Sequence, residues 1–187
     1  MTDLSKADIA KISQNLNIRS QAFIDGDYCR AASGDTFSTI NPATGEHLAD
    51  VAHCGDKDVN RAVRAARRAF NEGSWSRAAP EHRKEVLLKL ADLVSVNANE
   101  ISVMESIDCG KTVSDALDEI GGEAVNYFKW YAELTDKTFG KIATTGEDSL
   151  GLIVREPAGV AAAVLPWNFP FLMAVWMDCG NHRSFIV

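Results

Sequence analysis

Basic charge is scarce in this sequence. Its 19 lysines and arginines are outnumbered by 26 aspartates and glutamates, for a net charge of −7 and an isoelectric point near 5.1. Such a balance argues against a general nucleic-acid or anionic-membrane binder, so neither partner is expected. Long apolar runs are missing too: none approaches the roughly 20 residues that cross a bilayer. The opening Met1-Thr2-Asp3-Leu4-Ser5-Lys6-Ala7-Asp8 sets acidic residues where a secretory signal needs a basic end and an apolar core, and a cytoplasmic address is the expectation. Cysteine is sparse. Cys29, Cys54, Cys109 and Cys179 show neither C-x-x-C spacing nor a neighbouring histidine pair, which removes the usual zinc patterns and favours free thiols in a reducing compartment. Cys109, in an Asp-Cys-Gly-Lys turn, reads as a small side chain at a helix end rather than an activated nucleophile. There is no G-x-G-x-x-G, no internal repeat and no low-complexity tract.

What is present is an ordinary globular composition, 46% hydrophobic and 24% charged over 187 residues, enough for one sizeable domain. Residues 1–20 read as a loosely amphipathic, polar lead-in. Phe23-Ile24-Asp25-Gly26-Asp27-Tyr28-Cys29 carries an Asp-Gly pair between apolar residues, a tight-hairpin signal. A second hairpin is expected to join residues 36–40 to 47–52 through Asn41-Pro42-Ala43-Thr44-Gly45. Three helices follow. Asp56 is placed to cap the first, in which Val59, Ala62, Val63, Ala66 and Phe70 form one stripe; Arg61, Arg64, Arg67 and Arg68 cover other faces as a solvated arginine surface. Pro80 suits the first turn of the second helix, whose buried side runs through Leu87, Leu90, Ala91, Val94, Ile101 and Met104 until Gly110 stops it. Ser114 is the predicted cap of the third, which runs to about Lys137 with a bend or close contact at Gly121-Gly122. Residues 138–150 read as a connection and 152–156 as a strand.

The most informative segment is Pro166-Trp167-Asn168-Phe169-Pro170. It ends an apolar run, residues 159–165, that has the pattern of a strand covered on both faces. In open α/β sheets ligands gather just past the carboxyl ends of such strands. A tryptophan and a carboxamide there present a flat apolar surface and a non-titrating N–H donor. An ordinary strand-to-helix turn, with Trp167 packed and Asn168 capping the next helix, is the competing reading.

The longer string Ile153-Val154-Arg155-Glu156-Pro157-Ala158-Gly159-Val160, followed by Pro166-Trp167-Asn168-Phe169-Pro170, closely resembles the aldehyde dehydrogenase superfamily. Ile40-Asn41-Pro42-Ala43-Thr44-Gly45-Glu46, residues 58–70, Glu105-Ser106-Ile107-Asp108-Cys109-Gly110-Lys111, and Trp130-Tyr131-Ala132-Glu133 with Asp136-Lys137 and Gly140 match the family in order and spacing. The resemblance covers roughly residues 20 to 176 and only the family's amino-terminal third. It implies an α/β fold class: an incomplete amino-terminal part of an aldehyde dehydrogenase fold, with β-hairpins, three helices and the first strand of a Rossmann-like cofactor-binding sheet. On that basis residues 21–137 are the hairpin and helical part of the cofactor-binding domain. Residues 138–158 are a connection and a strand of the oligomerisation region, 159–176 the first strand and turn of the dinucleotide-binding sheet, and 177–187 a divergent, truncated tail.

The resemblance also implies chemistry: an aldehyde is oxidised to an acid through a thiohemiacetal, hydride passes to NAD or NADP, and a glutamate assists hydrolysis. Asn168 matches the asparagine that stabilises the oxyanion, a kind of interaction that contributes roughly 3–4 kcal/mol. Val164, Leu165, Pro166 and Trp167 match part of the surface against which the dinucleotide lies. Phe169, Met173 and Trp176, at i, i+4 and i+7, match the tunnel-lining face of the following helix; such a stripe is also the ordinary signature of core. Glu123 aligns with a tunnel-mouth position where a carboxylate would hold the amine of an ω-amino or γ-glutamylamino aldehyde, the alternative being a solvated glutamate on an exposed helix face. Thr39 and Asp108 match places where some relatives hold a monovalent cation, but both are good turn residues and no metal is assigned. The intact enzyme is expected to be a homodimer or homotetramer paired through residues 152–156.

After Trp176 the pattern breaks, and only Gly180-Asn181 matches the family. The strand with its ribose-binding lysine, the glycine turn over the pyrophosphate, the glutamate base and the cysteine nucleophile have no counterpart. The expectation is a truncated or frame-disrupted product of an aldehyde dehydrogenase gene; the alternative is a non-catalytic module that binds a protein partner. A downstream glutamate and cysteine in the coding DNA would favour the first, a long unrelated region the second. Aldehyde oxidation by the isolated polypeptide should be undetectable in a nicotinamide-reduction assay. Its uncovered apolar strand should make solubility marginal, and a clean cooperative melt would contradict that.

Overall fold

The computed structural model describes residues 4–180 and 185–186. The chain starts with a helix where the polar lead-in gave no stripe to find. Ser5 accepts the Asp8 N–H at 3.2 Å and the Asp8 carboxylate accepts the Ser5 N–H at 3.2 Å, a reciprocal capping box that starts α1, Lys6–Asn15. Both predicted hairpins are present. β1, Ala22–Ile24, pairs with β2, Asp27–Cys29, through a turn in which Asp25 and Gly26 both take positive φ, 60° and 87°. β3, Thr36–Ile40, pairs antiparallel with β4, His47–Ala52, with a register shift at Thr39/Ile40.

α2, Asp56–Glu72, begins differently from the expectation. Gly55 is its N-cap and Asp56 its first helical residue. The capping carboxylate is that of Asp58, which accepts the Gly55 N–H at 3.3 Å and the Ala32 N–H at 3.1 and 3.0 Å. At the third helical position a carboxylate reaches back to the cap, which Asp56 at the first cannot do. These bonds, the Ala32 one foremost, hold the Asp58 carboxyl below the usual range. Of the predicted α2 stripe, Ala66 is buried while Val59 and Val63 stay exposed.

α3, Pro80–Cys109, carries Pro80 in its first turn and ends at Gly110 with φ 83°. α4, Val113–Leu117, is capped by Thr112, whose hydroxyl accepts the Asp115 N–H at 3.2 Å; Ser114 is inside the helix and only meets the Thr112 hydroxyl. The chain then runs through a π-helical stretch, Asp118–Ala124, into α5, Val125–Leu134. The Gly121-Gly122 irregularity predicted from sequence thus takes the form of a seven-residue stretch of widened, π-type helix.

The core lies where α3, the π-helical stretch, α5 and a later helix, α6 (Pro170–Gly180), meet. Leu87, Ala91, Val94 and Ala98 face Ile120, Ala124, Val125, Phe128 and Ala132, with Leu172 and Val175 closing the cluster. Alanines on both main helices let the axes approach closely. Burial of the larger members contributes roughly 1.5–3 kcal/mol each. Ser102, fully buried, gives its hydroxyl proton to the Ala116 carbonyl at 3.2 Å.

Two strand expectations need correction. The strand predicted at 152–156 is β6, Gly151–Ile153, and its antiparallel partner β5, Lys141–Ala143, lies inside the segment read as a connection. Gly140 permits this hairpin, since a Cβ there would lie 2.7 Å from the Ile153 carbonyl oxygen. The run 159–165 is not a continuous strand covered on both faces. Only β7, Val160–Ala161, pairs, in parallel with β8, Phe185–Ile186, and Val164 is 94% exposed. A strand is a product of its neighbours, and beyond Ala161 no described strand pairs with this one.

Gly110 and Gly45 separate two costs of adding a side chain. Both have positive φ, but a Cβ on Gly110 would sit 2.9 Å from the Pro42 ring and one on Gly45 would touch nothing. Gly45→Ala should cost roughly 1–2 kcal/mol from backbone strain alone. Gly110→Ala should cost clearly more in denaturant melts, because a proline ring cannot swing aside.

Candidate active site

The site residues read from the sequence sit on the turn before α6, on α6 itself and on the π-helical stretch beside it. Phe169 is the residue from which α6 starts: its carbonyl accepts the Met173 N–H at 2.9 Å, and Pro170 occupies the first position, where a missing N–H costs nothing. Asn168 therefore does not cap the helix. Its side chain is exposed and hydrogen-bonds to no described residue. Trp167 is 86% exposed, Leu165 is exposed and Pro166 half-buried. The turn thus presents an apolar strip and a carboxamide outward, and the packed-tryptophan alternative does not hold.

What fixes this turn is a buried charge cluster. The Phe171 N–H, one of the orphan donors at the head of α6, donates to Glu105 Oε2 at 3.2 Å. Glu105, near the end of α3, is buried, and its other oxygen accepts from Lys111 Nζ at 2.7 Å. Lys111 also donates to Glu119 in the π-helical stretch, and its ammonium lies 4.5 Å from the centre of the Phe169 ring. Burial alone would lower the Lys111 pKa, but the two carboxylates outweigh it and push it up. A negative carboxylate at a helix N-terminus is also favoured by the helix dipole.

Farther along α6, Trp176 meets the Tyr127 ring edge-on, with centroids 5.5 Å apart. Glu123 is exposed on the π-helical stretch and lines an open cleft of about 570 Å³ with Asn126, Tyr127, Trp130 and Tyr131. Trp130 stacks edge-on against Tyr131 at 4.7 Å and is 59% exposed. The structure brings Glu123 and Trp176 together through Tyr127, and leaves Met173 half-buried on α6. Asn168 lies on the turn before α6, and Glu123 on the π-helical stretch against which α6 packs. The Thr39 hydroxyl donates to Asp108 Oδ1 at 2.8 Å, and no cluster of three or more potential metal-ligating side chains occurs among the described residues.

Sequence reading missed the aromatic lining of the cleft and the charge cluster. Tyr127, Trp130 and Tyr131 stand at i+4, i+7 and i+8 from Glu123, a helical spacing that would have grouped them. Glu105 and Lys111 had no local signal, because their partners lie on other elements.

With this geometry in hand, comparison with known proteins gives one consistent answer. Residues 28–180 match the aldehyde dehydrogenase family, and the chain belongs to it. It is 46% identical over 177 residues to the aminoacetaldehyde dehydrogenase of Pseudomonas aeruginosa, spanning 94% of this chain and 36% of that protein. It is 45% identical over 163 residues to the NADP/NAD-dependent aldehyde dehydrogenase PuuC of Escherichia coli, spanning 87% and 33%. The crystal structure of a gamma-glutamyl-gamma-aminobutyraldehyde dehydrogenase from Burkholderia cenocepacia superposes with a TM-score of 0.94 at 42% identity, covering 98% of this chain and 38% of that one. The chain thus spans about a third of the length of these relatives.

The charge cluster can be tested directly. Lys111→Met leaves two carboxylates facing each other in a half-dry site and should cost about 3–5 kcal/mol in a chemical melt. Because the native pKa of Lys111 is raised, its contribution is complete below the ordinary 10.5 and lost as pH rises through the native value. The alkaline fall in stability should be smaller in Lys111→Met.

Proposed function

We propose that this chain is the amino-terminal portion of an NAD(P)-dependent aldehyde dehydrogenase that oxidises an aminoaldehyde to the corresponding acid. The observation that carries the reading is the exposed carboxamide of Asn168, without a hydrogen-bond partner among the described residues, on a turn anchored by buried charge. An amide held there donates to an oxyanion as it forms, without titrating near neutral pH and without first breaking a bond within the protein. The nucleophile that creates that oxyanion matches nothing in these 187 residues, so the activity is assigned to the whole protein.

The residues past β7 fit a dinucleotide. Val164, Leu165, Pro166 and Trp167 offer an apolar, largely exposed strip at the carboxyl end of a parallel strand, which suits a flat heteroaromatic ring system and does not select between NAD and NADP. The nicotinamide, when bound, supplies the hydride acceptor. On the substrate side, Phe169, Met173 and Trp176 offer an apolar face along α6. Glu123, among aromatic rings, offers a carboxylate to an ammonium group. The names of the relatives, aminoacetaldehyde and gamma-glutamyl-gamma-aminobutyraldehyde dehydrogenases, agree with a nitrogen-bearing aldehyde.

Self-association belongs to the same reading. The β5–β6 hairpin exposes Ile142, Leu152 and Ile153, with Val154 beside them, an apolar surface suited to a second subunit of a homodimer or homotetramer. Cys29, Cys54 and Cys109 are free thiols, which suits a reducing, cytoplasmic compartment. No described helix is long and apolar enough to cross a membrane.

In a full-length enzyme carrying this segment, Asn168→Ala should lower kcat roughly 10²- to 10³-fold with a small change in KM. Glu123→Gln should raise KM for an ω-aminoaldehyde roughly two- to fivefold, as an exposed ion pair allows, and leave a simple alkyl aldehyde unchanged. Equal effects on both aldehydes would remove the amine-binding role while leaving the family chemistry intact.

A further inference from the structure

Two tethers reach the head of α6 from one buried pair at the end of α3. Glu105 is buried and offers Oε2 to the Phe171 N–H at 3.2 Å. Its Oε1 accepts from Lys111 Nζ at 2.7 Å, and that ammonium stands 4.5 Å from the centre of the Phe169 ring. Lys111 is itself held at both ends. The Ser106 hydroxyl donates to its carbonyl oxygen at 2.7 Å, and its ammonium is shared with Glu119. Phe169 and Phe171 stand one and three residues beyond Asn168. On the other side of Asn168, Val164, Leu165 and Trp167 are exposed, so the held residues that follow it decide where its carboxamide stands. Burying a carboxylate is costly unless it is paired, and this one is buried where it faces the helix that follows Asn168.

We propose that Glu105, held by Lys111, is a positioning residue for the oxidation. It acts through other groups rather than on the substrate: it fixes the Phe171 N–H directly and the Phe169 ring through Lys111, and so sets the Asn168 carboxamide where the oxyanion forms. The inference rests on the donor role proposed for Asn168 and adds to it what keeps that donor in place. A preorganised N–H stabilises developing charge only if it already points at the oxygen that acquires it. Misplacing a group by about 1 Å, even from a distant substitution, can cost roughly 10²-fold in rate. The bound aldehyde carries no such charge, so loosening the donor lowers kcat and leaves KM nearly unchanged.

The test is a double-mutant cycle in a full-length enzyme carrying this segment, with saturating NAD and a simple alkyl aldehyde. Glu105→Leu removes both tethers and should lower kcat roughly 10²-fold, with KM within about twofold. Glu105→Gln keeps an acceptor for the Phe171 N–H and leaves Lys111 paired with Glu119, so it should lose only about tenfold; the cycle can be read on this variant alone where Glu105→Leu does not fold. In an Asn168→Ala background neither substitution should lower kcat by more than about twofold, because the donor they position is gone. A merely structural role would lower kcat by the same factor in both backgrounds, and that result overturns the inference while leaving the donor role intact. An unchanged kcat in Glu105→Gln and Glu105→Leu overturns it as well. If Asn168→Ala itself leaves kcat unchanged, the donor role fails and the inference falls with it.

Discussion

The ammonium of Lys111, shared between Glu105 and Glu119, is the constraint on which the rest of this structure depends. It joins the end of α3 to the π-helical stretch, while the second oxygen of Glu105 takes the Phe171 N–H and so fixes the head of α6. Each of the three side chains would be costly to bury alone, so the cluster stands or falls as a unit. Gly110 makes it possible: at φ 83° the chain leaves α3 and turns Lys111 back beside Glu105, closely enough that Pro42 fills the space a Cβ would need. The Phe169 ring beneath the ammonium completes the join on its apolar side.

From that anchor follows the character of the site. A catalytic donor is useful when its position is held by packing rather than by a bond to the donor itself. Asn168, proposed as such a donor, precedes by two residues a helix whose first turn is tied down, and its amide has no hydrogen-bond partner among the described residues. Farther along the same helix, Trp176 touches Tyr127 and through it the cleft that Glu123 lines. α6 thus links the turn that carries Asn168 to the cleft that Glu123 lines.

Much of the scaffold was legible because its signals are local. Asp25-Gly26 dictates a tight hairpin, Pro80 and Gly110 bracket α3, and the apolar spacing on α3 selects the face that Leu87, Ala91 and Val94 bury. Where the reading failed, the deciding partner was distant or the local signal small. The capping box of Ser5 and Asp8 was a weak mark of α1 in a polar stretch. Lys141-Ile142-Ala143 became a strand only because Gly151–Ile153 lay opposite. The apolar run 159–165 looked like a covered strand, yet only two of its residues pair.

By itself the amino-acid sequence determined the family, the hairpins, the long helices with their buried faces, and the candidate donor Asn168, because each of these is written in residues close together along the chain. Only the tertiary structure decided that Asn168 is exposed, that Glu123 sits among aromatic rings, and that the Lys111–Glu105–Glu119 cluster ties three elements together. The reason is physical: exposure and ion pairing depend on how the backbone turns between groups, as at Gly110 before Lys111, and on elements far apart in sequence, as where the Phe171 N–H meets Glu105.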